Sequence, residues 1–176
     1  MSKPRQVRIV EVGPRDGLQN EINAVSADTK IRFINMLVEA GITTLEAGAF
    51  VSPRAVPQMS NTAEVLAGLP SMDGVTCSVL TPNLKGLEAA MSAGAGEVAI
   101  FAAASETFSH KNTNCSIEES LERVAAICDI ASQNDMPVRG YVSCVLGCPY
   151  EGDVDPGLVA EIAEKLMKMG CYEVSL

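Results

Sequence analysis

Residues 7–21 read VRIVEVGPRDGLQNE, and the fold follows from the way this stretch changes character halfway along. Residues 7–12 form an apolar run that predicts a buried strand. Gly13-Pro14 ends the run and delivers Arg15 and Asp16 together onto the loop beyond it. Gly17 then permits a tight backbone, and Gln19, Asn20 and Glu21 add polar groups. A strand that stops and at once presents a cation and an anion is how α/β enzymes build sites, which lie beyond the carboxyl ends of their strands. A plain turn with a local Arg–Asp pair is the alternative; the flanking glycine and the polar residues behind it weigh toward a site.

Outward from this stretch the alternation repeats. Short apolar runs at 43–47, 75–80, 97–102, 138–144 and 172–176 predict further strands, covered on both faces. Helical patterns separate them. The first starts at Ser26, an N-cap residue, and stops at Gly41, with Ile31, Ile34 and Val38 on one face. Others start near Asn61, after Thr81-Pro82, at the capping box Ser116-Ile117-Glu118-Glu119, and at Asp155-Pro156. Residues 105–116, SETFSHKNTNCS, read as a long polar loop, and loops of that length usually have a purpose. Five βα units and a sixth strand imply a parallel sheet with right-handed crossovers. The fold class is therefore α/β: a (β/α)8 TIM barrel, incomplete here, because eight units typically take about 250 residues. With no linker or composition shift, residues 1–176 read as the N-terminal part of a single TIM-barrel catalytic domain.

Composition narrows the function. A net charge of −9 argues against a nucleic-acid partner, since phosphate backbones need a basic surface. No apolar run approaches membrane-spanning length, and MSKPRQ at the start lacks a signal-peptide core, so a cytoplasmic location is expected. Six cysteines show no secreted disulfide pattern, which suits a reducing compartment. Cys144 and Cys148 have no second pair or histidine nearby to complete a zinc site, and Cys148 reads as structural or loop-forming.

The alternation puts several polar side chains at one end of the predicted sheet. Glu46 ends the second strand; Lys85 follows the third; His110, Lys111 and Asn112 follow the fourth. Tyr141 and Ser143 lie two apart in the fifth and share a face. Each has a plainer reading: Glu46 as the partner of a nearby cation, Lys85 as a solvated helix-start lysine, Tyr141 as a core ring with a satisfied hydroxyl, His110 as a solvated histidine. Asp16 is the best metal candidate, because a carboxylate on a short glycine-flanked loop suits Mg²⁺ or Mn²⁺. One carboxylate does not make a metal site, and the sequence holds no His-x-His.

RDG-x-Q after the first strand resembles the metal-dependent TIM-barrel lyases and synthases that act on acyl-CoA and 2-oxo-acid substrates. The longer GPRDGLQNE resembles the 3-hydroxy-3-methylglutaryl-CoA lyase family. So do FVSP at 50–53, VPQM at 56–59, LTPNLKG at 80–86, NCSIEES at 114–120, RGYVSCVLGCPYEG at 139–152 and MGCYEVSL at 169–176. The resemblance implies cleavage of the CoA thioester to acetyl-CoA and acetoacetate with a divalent cation, a step in leucine breakdown and ketone-body formation. It implies that Arg15 stabilises the enolate oxygen. Asp16 is then a metal ligand, and Glu46 belongs to the acid/base network or supports it. Gln19, Tyr141 and Ser143 line the acyl pocket, while Lys111, Asn112 and Lys85 meet the CoA moiety. The family's His-x-His ligands and the cysteine of its GGCPY loop are not in this sequence. The isolated chain is thus expected to be inactive. The full-length protein is expected to be a homodimer, mitochondrial in a eukaryote. Two other functions fit less well: a Claisen-type synthase of the isopropylmalate or homocitrate kind, and a non-catalytic CoA-ester-binding half-barrel.

Overall fold

A computed structural model describes residues 7–176. They form two compact units, one of residues up to 80 together with 90–96, the other of 81–89 together with 97–176. Both are built of parallel strands alternating with helices.

In the first unit, α1 (Ala27–Glu39) precedes β1 (Thr44–Ala49), followed by a short turn at Pro57–Met59, α2 (Thr62–Gly68) and β2 (Thr76–Leu80). The Ser26 hydroxyl accepts the Thr29 N–H and caps α1. The helix ends at Ala40, and Gly41 takes a left-handed backbone at φ 97° that would strain any other residue. β1 and β2 pair in parallel, with a register shift between Glu46 and Gly48. That irregularity lets α2 press against the strand. A Cβ on Gly48 would lie 2.5 Å from Thr62 Oγ1 and 2.8 Å from its Cγ2. Thr62 Oγ1 accepts the Ala49 N–H at 3.2 Å and sits 2.8 Å from the Met59 carbonyl.

The sequence predicted a strand at 7–12, and the structure corrects this. Only Glu11 pairs, through Glu11 N–H to Thr44 O and Glu46 N–H to Glu11 O, both at 2.9 Å. Val7 and Ile9 are exposed. Among the described residues nothing packs over these side chains, so the apolar pattern alone does not produce a ladder.

The second unit holds β3 (Glu97–Ala103), α4 (Glu106–Thr113), α5 (Ile117–Gln133), β4 (Val138–Ser143), α6 (Pro156–Lys168) and β5 (Glu173–Ser175). Its strands pair in parallel in chain order. α3 (Leu84–Ser92) follows β2. The capping box at Ser116 and Glu119 is present with both reciprocal bonds. Asp155 caps α6, with Pro156 in its first turn.

The long polar loop expected at 105–116 is instead helical over α4. Ser105 caps it by accepting the Phe108 N–H, and Asn114 ends it in a left-handed conformation. Only Ser109 of this helix is buried, which is why no apolar stripe announced it. All six cysteines are free thiols.

Candidate active site

The backbone turn at Gly13–Gly17 is wider than an α-helical one. The Val12 carbonyl faces three amides, those of Arg15 at 3.1 Å, Asp16 at 2.7 Å and Gly17 at 3.4 Å. Such local widening of a helical turn is frequent at functional sites. Glu11 prepares the turn by accepting the Gly13 N–H at 2.6 Å. Asn20 closes it behind, donating from Nδ2 to the Asp16 carbonyl at 2.8 Å.

The turn holds Arg15 between two unlike carboxylates. Its Nε donates to Glu46 Oε2 at 2.6 Å, and its Nη1 to Asp16 Oδ1 at 2.7 Å. The Glu46 side chain is fully buried, that of Arg15 is 12% exposed and that of Asp16 is 54% exposed. A buried carboxylate thus anchors the guanidinium from β1, while an exposed one steadies its outer edge. Nη2 donates to no described residue, so one corner of the fork is left for another acceptor. Gln19 is half-buried nearby in sequence and makes no side-chain hydrogen bond among the described residues.

The second unit carries the other predicted residues. On β4, a Cβ at Gly140 would meet Leu166 of α6, Cys171 and Val174. Arg139, Tyr141 and Ser143 therefore share the face opposite that helix. Tyr141 is held by Arg139, whose Nη1 donates to the phenol oxygen and whose guanidinium carbon lies 4.6 Å from the ring centre. Arg139 also donates from Nε to Glu173 Oε1 at 2.6 Å and from Nη2 to Ser175 Oγ. Ser143 is half-buried.

Lys111 and Asn112 are exposed in the last turn of α4. Lys111 Nζ sits 4.1 Å above the Tyr150 ring, which Phe108 flanks at 6.3 Å between centroids. His110 forms only an exposed pair with Glu106 at 3.8 Å. Lys85 lines an open groove of about 690 Å³ against Glu119, Glu122 and Arg123 of α5. Cys148 closes the loop between β4 and α6. Its backbone exchanges two hydrogen bonds with Gly152, and its sulfur accepts from Ser105 Oγ at 3.0 Å.

Sequence reasoning named Asn20 only as a polar neighbour of the turn, and it missed Glu11 and Arg139. Arg139 left a signal, since a cation inside an apolar strand requires a buried partner. Which residue would answer it, Glu173, lies beyond what a single sequence reveals.

The described residues contain no group of three or more His, Cys, Asp or Glu side chains able to hold a metal. Asp16 offers one carboxylate, whose Oδ1 already accepts from Arg15, so the donors present do not by themselves build a cation site. No described helix is long and apolar enough to cross a membrane.

Against known proteins, the family model described as HMGL-like matches residues 6–176. Hydroxymethylglutaryl-CoA lyase, mitochondrial, of Macaca fascicularis is 61% identical over 173 residues, 98% of this chain and 53% of that protein. The 3-hydroxy-3-isohexenylglutaryl-CoA/hydroxy-methylglutaryl-CoA lyase of Pseudomonas aeruginosa is 57% identical over all of this chain and 59% of its own length. The crystal structure of hydroxymethylglutaryl-CoA lyase from Pseudomonas aeruginosa superposes with a TM-score of 0.95 at 58% identity, covering 98% of this chain and 58% of that one. The fold is accordingly that of part of a TIM barrel. The chain spans between a half and two thirds of the length of the relatives it matches.

Proposed function

The chain belongs to the HMGL-like family, and on that premise we propose that it is the N-terminal part of a single-domain TIM-barrel lyase that splits 3-hydroxy-3-methylglutaryl-CoA into acetyl-CoA and acetoacetate. The observation that carries this reading is Arg15, fixed on buried Glu46 with one donor corner uncommitted. In the reaction, the C3 hydroxyl loses its proton as the C2–C3 bond breaks. The bond's electron pair moves onto the thioester, whose oxygen becomes an enolate oxygen, and acetoacetate departs. Protonation at C2 then gives acetyl-CoA.

Arg15 meets that developing charge. A guanidinium stays protonated at any working pH, so it acts as a fixed donor and not as an acid. Held before the reaction begins, it needs no reorganisation as the oxygen gains charge. Glu46 works through Arg15, fixing the plane of the fork. Gln19, Tyr141 and Ser143 contact the acyl group, and the hydroxyl of Tyr141 is pre-oriented by Arg139. Lys111, Asn112 and Lys85 meet the phosphates and pantetheine of CoA as exposed charges and donors.

Members of this family are generally divalent-metal dependent. A bound Mg²⁺ or Mn²⁺ would supply Lewis-acid polarisation of substrate oxygens. Asp16 is the residue of this chain that would contribute to holding it, with the remaining ligands supplied from outside the described residues. The full-length protein is proposed to be a homodimer, cytoplasmic in a bacterium and mitochondrial in a eukaryote.

The test is acetoacetate and acetyl-CoA release by the full-length protein with added Mg²⁺ or Mn²⁺. Because the Pseudomonas relative is also named for isohexenylglutaryl-CoA, both esters are supplied. Acetoacetate from the methyl-bearing ester, or a 3-oxo fragment that keeps the isohexenyl group from the other, supports a lyase. Consumption of acetyl-CoA with a 2-oxo acid instead identifies a synthase, and binding without turnover a non-catalytic ligand domain.

A further inference from the structure

Lys30 is 1% exposed, yet it meets no carboxylate among the described residues. It sits in the N-terminal turn of α1, the end at which a helix disfavours a cation. Burial pushes its pKa down, because the ammonium is held away from water. An apolar side chain of similar length would fill this position without that cost. A residue that breaks the local rule in this way generally serves something other than the stability of its own helix.

Its hydrogen bonds show what that is. Lys30 Nζ donates to the Gln58 carbonyl and, at 2.7 Å, to Asn61 Oδ1. Those two residues in turn hold the segment that follows the Arg15–Asp16 turn. Gln58 Nε2 donates to the Glu21 carbonyl at 2.8 Å, and Asn61 Nδ2 donates to the Val25 carbonyl at 3.0 Å. Asn20, adjacent to the first of these anchor points, holds the Asp16 carbonyl. The chain of contacts therefore runs from the helix, through the 57–61 turn, to the backbone that presents the guanidinium and carboxylate.

We infer that Lys30 is a positioning residue: by pinning Gln58 and Asn61 it clamps residues 17–25 and so fixes the Arg15–Asp16 turn. The catalytic consequence rests on the lyase reading above; the clamp itself does not.

Two variants of the full-length protein test it, Lys30→Met and Gln58→Ala. The second alters a partly exposed side chain and leaves the helix intact. The readout is amide hydrogen exchange at Asn20 and Glu21, whose N–H groups bond Gly17 O and Leu18 O at 3.2 and 3.3 Å. Both variants are expected to speed exchange there about tenfold while β1 and β2 keep their protection. Turnover of 3-hydroxy-3-methylglutaryl-CoA should fall about tenfold in kcat with KM little changed, because the reacting geometry and not ground-state binding is disturbed. Uniformly faster exchange across the first unit in Lys30→Met, with no local change in Gln58→Ala, overturns the inference and leaves an ordinary core lysine. A local response with unchanged kcat in an active enzyme also overturns the positioning role. A local response in a protein whose parent shows no lyase activity upholds the clamp and removes the lyase reading instead.

Discussion

Two arginines in this molecule make the same opening contact and then diverge. Arg15 and Arg139 each place Nε 2.6 Å from a glutamate oxygen. Arg139 then spends both remaining nitrogens on its own strand and the next, on Tyr141 and Ser175. Its carboxylate, Glu173, is the more exposed partner at 36%. Arg15 reverses the arrangement: its carboxylate, Glu46, is wholly buried, its second contact is the exposed Asp16, and Nη2 is uncommitted. A closed guanidinium fastens strands together. An open one, anchored from beneath, is a donor waiting for an acceptor. The same side chain thus serves structure or chemistry according to where its partners lie.

Substitutions in the full-length protein can break this contrast. Arg15→Gln should show the largest effect, a loss of about a thousandfold in kcat, the scale seen when a preorganised donor to a developing oxyanion is removed. Steady-state assay of acetoacetate release measures it, and a loss of tenfold or less would make Arg15 structural after all. Asp16→Asn comes next. Its ion pair is exposed and should contribute under about 0.5 kcal/mol to denaturant stability. Cation affinity, followed by titrating Mn²⁺ against activity, should weaken by about a hundredfold, as metal-site polar changes do. Arg139→Met should cost about 2 kcal/mol in urea unfolding, below the usual figure for breaking a buried pair because Glu173 is partly solvated. If that variant loses more in kcat than in stability, Arg139 belongs with Arg15 and the division fails. Tyr141→Phe, the smallest change, removes one neutral acceptor from Arg139 and should cost about 1 kcal/mol in the same unfolding experiment.

Legibility in the sequence followed the range of the forces involved. Ser26, the Ser116–Glu119 box and Asp155-Pro156 act within four residues, and they mark helix starts in the structure as they did in the chain. The later apolar runs formed strands because partners flank them. Residues 7–12 had the same pattern without that cover, and only Glu11 pairs. α4 was hidden for the opposite reason: its support comes from polar ends. Besides the Ser105 cap, the Thr107 N–H donates to Glu151 and Glu106 accepts the Ile117 N–H, bonds that leave no periodic apolar trace. The polar residues at strand ends could be named from alternation. Which carboxylate anchors which guanidinium could not, since Arg15 and Glu46 are 31 residues apart.

The seam between Gly48 and Thr62 carries a last consequence. Not even a methyl group fits between β1 and α2 there, and the strand concerned also carries Glu46. Mutational drift at either position is therefore tied to the other: an alanine at 48 is admissible only alongside a residue at 62 that lacks the hydroxyl, because the oxygen itself is the nearest obstacle, and that exchange would surrender the acceptor of the Ala49 N–H.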